Sequence, residues 1–244
     1  MASRSLVVDL ARHLLAEGAR IAYGGDYRKA GFTELLVEVQ RTHASATGAA
    51  PPRIVSYLPE PLPAGVRATY VDAVRFIDVR FIDIARRADD SATRKARSRA
   101  MSLRAMRSEI ARDAVALVAV GGRTSRFTGW RPGVAEEIAA AVAAGKPIYL
   151  VGGFGGSAGG YANAAYRRGV IPNASAPPEL GQEATGALAL PSADAVVRAL
   201  RDRMSRNGLT HAENLRLART EDSDEIVALV LSGLAKISNR SAGD

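Results

Sequence analysis

The residues best suited to chemistry lie in one stretch, Ala114 to Glu137, which reads AVALVAVGGRTSRFTGWRPGVAEE. A glycine pair, Gly121-Gly122, follows an uninterrupted apolar run, and the absence of side chains lets a ligand come close to the backbone. A polar loop with Arg123, Arg126 and Arg131 comes next, and Pro132 is well placed to start a helix. Gly133 and two carboxylates, Glu136 and Glu137, fall in that helix's first turn. A strand, a glycine turn and a helix N-terminus together can hold an anion or a nucleotide. The two acids repel a phosphate, so they suit accepting hydrogen bonds from ribose hydroxyls or polarising a water. First-turn acids also stabilise any helix through its dipole, which is the plain structural alternative. Trp130, the only tryptophan, can stack on a base or anchor the loop, and anchoring is favoured.

The same ending recurs twice. Tyr23-Gly24-Gly25-Asp26 and Val151-Gly152-Gly153-Phe154-Gly155-Gly156 also close apolar runs. One glycine pair is ordinary turn chemistry. Three pairs at strand ends point to one ligand crevice, because open parallel sheets bind ligands outside the carboxyl ends of their strands. A phosphate calls for a helix N-terminus without nearby acids. The turn from Gly25 through Gly31 to Thr33 is one candidate, with Arg28 and Lys29 beside it and Glu34 against it. The run Gly152 to Gly156, followed by Ser157, is the other, and no acid lies close to it.

These turns need strands and helices to carry them. Leu6, Val7, Leu10, Leu14 and Leu15 repeat at helical spacing, and Gly18 closes that helix. Strands are expected at Arg20–Tyr23, Arg53–Leu58, Ala116–Val120 and Pro147–Val151, with at least one more between Ala68 and Ile84. That last region holds VRFID twice in succession, a local duplication without functional meaning. Helices are expected at Thr33–Thr42, Ser91–Asp113, Pro132–Ala144 and Ala193–Met204, and a final one capped near Ser223. Residues 171 to 192 hold most of the late prolines and are expected to form an exposed excursion. Alternating strands and helices predict an α/β fold, a Rossmann-like, doubly wound and mostly parallel sheet flanked by helices. The expected organisation is one domain over 1–244, with a core of about 6–170 and a loop plus C-terminal helices over 171–244.

Composition narrows the function. With 47% apolar and 24% charged residues, the chain has an ordinary globular make-up. It contains no cysteine, so disulfides, thiolate metal sites and cysteine nucleophiles are excluded. The three histidines, His13, His43 and His211, are scattered, so neither a metal nor a cofactor is expected. No apolar run approaches the roughly 20 residues that cross a bilayer, and Asp9 interrupts the N-terminus, so no membrane contact and a cytoplasmic location are expected. The net charge of +8 favours phosphate-bearing partners, from nucleotides to nucleic acid. Seven cations lie between Arg94 and Arg112, and most are read as a solvated face. Aromatic residues make up only 5%, too few for the stacking platform that single-stranded DNA needs.

At the glycine turns the chain resembles the SLOG superfamily, which includes the LOG "lysine decarboxylase-like" phosphoribohydrolases, the DprA/Smf proteins and nucleotide-sensing domains of anti-phage defence systems. Tyr23-Gly24-Gly25 followed by Gly31-Phe32-Thr33 is similar to the family's first nucleotide-binding turn. Gly121-Gly122 and then Gly133-Val134-Ala135-Glu136-Glu137 are similar to its PGGxGTxxE motif, divided here by a loop insertion. Met101-Ser102-Leu103-Arg104 sits where the LOG enzymes have MHxRK. The resemblance spans about residues 6 to 165. It implies a nucleotide-like ligand at the sheet edge, held by these glycines with Arg104, Glu136 and Glu137. It also implies, if the chain is an enzyme, that Arg104 and Glu137 cleave an N-glycosidic bond. Ser102 and Ala105 replace the motif's histidine and lysine, which weighs against hydrolysis. The first expectation is therefore binding or sensing of a nucleotide or an NAD-derived, ADP-ribose-like molecule. The alternatives are LOG-like hydrolysis or transfer on nucleoside 5′-monophosphates and, behind it, DprA-like binding of single-stranded DNA. A homodimer or higher oligomer is in keeping with the family.

Overall fold

The computed structural model describes residues 2–25, 31–47, 52–60, 76–82, 92–167 and 176–241. The chain divides into two compact units, Met1–Ala85 and Arg86–Asp244. Both are α/β, with parallel strands flanked by helices, as the sequence pattern predicts.

In the first unit, helix α1 (Ala2–Ala16) leads to strand β1 (Ile21–Gly24), helix α2 (Phe32–Thr47), and strands β2 (Ile54–Pro59) and β3 (Asp78–Ile82). The three strands pair in parallel in the order β1-β2-β3, with Ile21 opposite Ile54 and Val55 opposite Asp78. All six residues of β2 are buried, as befits a central strand. Leu15 of α1, Leu36 and Val39 of α2, and Ile54 and Leu58 of β2 share one core. Each such side chain, fully buried, contributes roughly 1.5–3 kcal/mol of transfer free energy. The second VRFID copy supplies β3.

The second unit begins with helix α3 (Ala92–Asp113), followed by β4 (Leu117–Val120), α4 (Gly133–Ala143), β5 (Ile148–Val151) and α5 (Gly156–Arg167). Strands β4 and β5 pair in parallel, Leu117 opposite Ile148, with α4 as the crossover. Two short 3-10 turns, Pro178–Leu180 and Gly186–Leu188, precede α6 (Ala193–Ser205), α7 (His211–Leu217) and α8 (Ser223–Ser241). Ile138 of α4, Leu150 of β5, Tyr161 of α5 and Leu200 of α6 meet in its core. Helix α7, unannounced by periodicity, starts on a capping box in which Thr210 and Glu213 bond each other's backbone amides.

The C-terminal elements are held to β5 by a buried carboxamide pair. The Asn207 amide donates to the Ile148 carbonyl at 2.9 Å and to Asn214 Oδ1 at 2.8 Å, while Tyr149 Oη donates to the Asn207 carbonyl at 2.5 Å. The described part of the proline-rich segment is largely exposed, as expected, but it is anchored at one point. Leu180 is only 2% exposed and packs with Ala100 and Trp130.

Candidate functional site

Helix α3 carries Arg104 inward at 0% exposure, so it departs from the solvated face assigned to most of that helix's cations. A guanidinium taken out of water costs several kcal/mol unless it is paired and hydrogen-bonded. The partner is Glu136, also 0% exposed, in the first turn of α4. Arg104 donates to Glu136 Oε1 through Nη2 at 2.6 Å and through Nε at 3.2 Å. Arg107, one helical turn further on, donates to Glu136 Oε2 at 2.5 Å. Glu137, the acid that the LOG resemblance pairs with Arg104, lies 3.9 Å from Arg107 Nε instead. Its side chain is a third exposed, and burial of its carboxyl raises the pKa above the usual range; Arg107 opposes the shift and Glu136 adds to it.

The loop between β4 and α4 ends on two fixed residues. Trp130 is buried, so it anchors the loop, and the guanidiniums of Arg104 and Arg97 lie 4.8 and 5.4 Å from its ring centroid. Arg131 donates to Glu183 Oε2 at 2.8 Å and to the Pro191 carbonyl at 2.6 Å. Glu183 also accepts from Arg104 Nη2 at 2.5 Å. Burial pushes the Glu183 carboxyl up, but hydrogen bonds from Arg131 and Arg104 and their charges outweigh it, so its pKa falls below the ordinary value. Three donors of this cluster are buried without a hydrogen-bond acceptor: Arg104 Nη1, Arg107 Nε and Trp130 Nε1.

The glycine turns of the second unit have geometric reasons of their own. The carbonyl of Gly121 accepts from the amide of Ala158 at 2.8 Å, and that of Gly122 from Ser157 at 3.1 Å. A side chain on Gly122, whose φ is +93°, would stand 2.6 Å from Val134. Thus β4 and the start of α5 are zipped together through backbone. Ser157 Oγ donates to the Arg123 carbonyl at 2.8 Å, while the Arg123 side chain is exposed. These bonds engage amides that a phosphate at the run Gly152–Gly156 would seek, and Gly155 N likewise donates to the Gly152 carbonyl. Side chains on Gly152 and Gly153 would collide with the carbonyls of Ala218 and Thr220, which pack against the end of β5. Phe154 is half-buried beside them. Among the glycines that follow β4 and β5, Gly121 and Gly155 are the ones with open space where a side chain would project. Gly133 stands against Arg107, whose Nη2 is 3.0 Å from its would-be side chain.

In the first unit, Gly24 ends β1, and a side chain on Gly25 would sit 2.5 Å from Ser56 Oγ of β2. Gly31 is buried ahead of α2, Phe32 lies 5.9 Å from the Arg4 guanidinium, and the buried Thr33 hydroxyl accepts from Tyr23 Oη at 3.0 Å. Asp26, Arg28 and Lys29 lie outside the described residues.

Arg107 and Glu183 are the participants that sequence reasoning did not single out, and Arg131 is one of the three loop arginines noted above. Arg107 sits three residues after Arg104, a spacing that puts both on one helix face; Glu183 lies in a stretch without periodicity. No helix among the described residues is long and apolar enough to cross a membrane. No curated protein and no solved structure matches the chain. The family model described as SLOG cluster2 matches residues 2–175, and the chain belongs to that family, whose members point to a nucleotide-related function.

Proposed function

We propose that the protein binds a nucleotide or an NAD-derived, ADP-ribose-like ligand and serves as its sensor, in the manner of defence-associated SLOG domains. One observation carries this choice over catalysis: Arg104 is committed to Glu136 and Glu183 and makes no bond to Glu137. The Arg–Glu pair that hydrolysis would use is therefore not assembled, whereas a cluster rich in unused donors suits an anionic ligand. Thermal unfolding with AMP, ADP-ribose, NAD and other nucleotides tests it. A ligand at a hundred times its dissociation constant stabilises the folded state by about 2.7 kcal/mol, so the true ligand raises the melting temperature by several degrees. A panel that leaves the melting temperature unmoved contradicts the proposal.

A second reading, N-glycosidic hydrolysis of nucleoside 5′-monophosphates, draws on Glu137. Its raised pKa and partial exposure suit a carboxyl that exchanges a proton with a bound water.

A further inference from the structure

Glu183 is the most exposed member of the arginine–glutamate cluster, and it comes from outside the region matched by the family. Its side chain is 36% exposed, against 0% for Arg104 and 15% for Arg131. Both of its oxygens are used by Arg131, through Nε and Nη2 at 2.8 Å each, in the side-on fork by which arginine holds carboxylates and phosphates alike. The segment carrying it is pinned independently of that carboxylate. Leu180 is buried, and Arg97 Nη1 donates to the carbonyls of Leu180 at 2.5 Å and Gln182 at 2.9 Å. The Glu183 side chain can therefore turn to solvent while its backbone stays in place.

Two oxygens do not satisfy this cluster. Arg104 Nη1 and Trp130 Nε1 remain buried without acceptors, and such orphaned donors each cost about 1–3 kcal/mol. A phosphate monoester offers three terminal oxygens and about two negative charges. With Glu183 turned away, three guanidiniums of Arg104, Arg107 and Arg131 face only the two carboxylates of Glu136 and Glu137, a charge surplus that favours such a group.

We propose that Arg104 and Arg131 form a phosphoryl-binding site occupied by the chain's own Glu183 carboxylate, which a phosphate-bearing ligand displaces when it binds. The inference rests on the nucleotide-binding function proposed above, and it names the group recognised and the internal competitor. A binding-competent state populated only in part raises the apparent dissociation constant by that fraction. A carboxylate in place nine-tenths of the time weakens binding about tenfold.

Trp130, the only tryptophan, lies against Arg104 and reports on the site by its fluorescence. The full chain, Glu183→Gln and Glu183→Asp are titrated with inorganic phosphate, AMP and adenosine, after thermal unfolding has confirmed that each variant folds. The aspartate keeps the charge but is one methylene too short to reach both guanidiniums. The expected result is a saturable change with AMP, at an about tenfold lower midpoint in both variants, and no change with adenosine. If inorganic phosphate alone gives the tightened response, the phosphoryl site stands and the nucleotide proposal falls. If AMP binds with one midpoint in all three proteins, Glu183 is no competitor and only the nucleotide proposal survives. A Glu183→Asp midpoint equal to the parent's, beside a tightened Glu183→Gln, replaces occupancy by long-range charge and overturns the inference. No response from any protein overturns both.

Discussion

Arg104 gives both Nε and Nη2 to a single oxygen, Glu136 Oε1, while the other oxygen of that carboxylate is taken by Arg107. The two arginines of α3 thus clamp the first turn of α4 from one side, with all three side chains buried or nearly so. Breaking a buried ion pair by removing one partner is far costlier than replacing both, because the survivor keeps its desolvation cost. Arg104→Met is expected to lose about 3–5 kcal/mol of stability. Arg104→Met combined with Glu136→Leu is expected to recover at least half of that loss. Urea unfolding of the four proteins of the cycle measures it, and an additive double variant contradicts the pairing.

The close backbone approach behind β5 gives a second expectation. A methyl group at Gly152 meets the Ala218 carbonyl, whereas one at Gly155 meets nothing within 4 Å and bears only the cost of its φ of +67°. Gly152→Ala should lose about 2–3 kcal/mol through forced displacement of packed backbone, and Gly155→Ala about 1–2 kcal/mol. Thermal unfolding ranks them. If the glycine at 152 serves only a ligand, the order reverses, with little stability lost at 152.

Stability should depend on acid through Glu183. Its folded pKa lies below its unfolded value of about 4.5, so its contribution is complete above that pH and disappears as the pH falls through the folded value. The side chain is partly exposed, so the contribution is about 1 kcal/mol. Glu183→Gln is thus expected to be less stable than the parent at pH 7, and the two should converge as the pH falls from 4.5 through the folded value. A gap that persists undiminished at low pH means the carboxylate charge is not what stabilises the segment.

Glu137 decides between binding and catalysis. Incubation of the protein with nucleoside 5′-monophosphates, read by chromatography for free base, is expected to show no release above background. Release that falls at least a hundredfold in Glu137→Gln establishes the hydrolytic alternative. Release that Glu137→Gln leaves unchanged removes Glu137 from any such chemistry.

The sequence announces the elements better than it announces the contacts between them. Apolar runs ending on glycine mark β1, β4 and β5 within one residue, and the leucine spacing of α1 and the start of α8 near Ser223 are equally plain. Glycine, however, has two uses with one spelling. Gly152 and Gly153 admit the backbone of residues 218–220, some sixty-five residues downstream, and no local pattern encodes so distant a neighbour. The choice of Glu136 over Glu137 as partner of Arg104 is a matter of which side of α4 faces α3. One residue moves a side chain about 100° around a helix, and motif alignment does not resolve that rotation. Glu183 was hidden for a third reason, since a proline-rich stretch without periodicity gives no sign that Leu180 anchors it against Trp130.

Recognition of a phosphate by this cluster is measured outright by titration calorimetry of the full chain and of Arg131→Gln with ADP-ribose, AMP and adenosine. Arg131 reaches the site from the loop end and touches Glu183, but it makes no bond to the Glu136 clamp. Saturable binding of a phosphate-bearing nucleotide is expected, weakened at least tenfold in Arg131→Gln and absent for adenosine. A chain that binds none of them, or binds adenosine and AMP alike with Arg131→Gln unaffected, contradicts it.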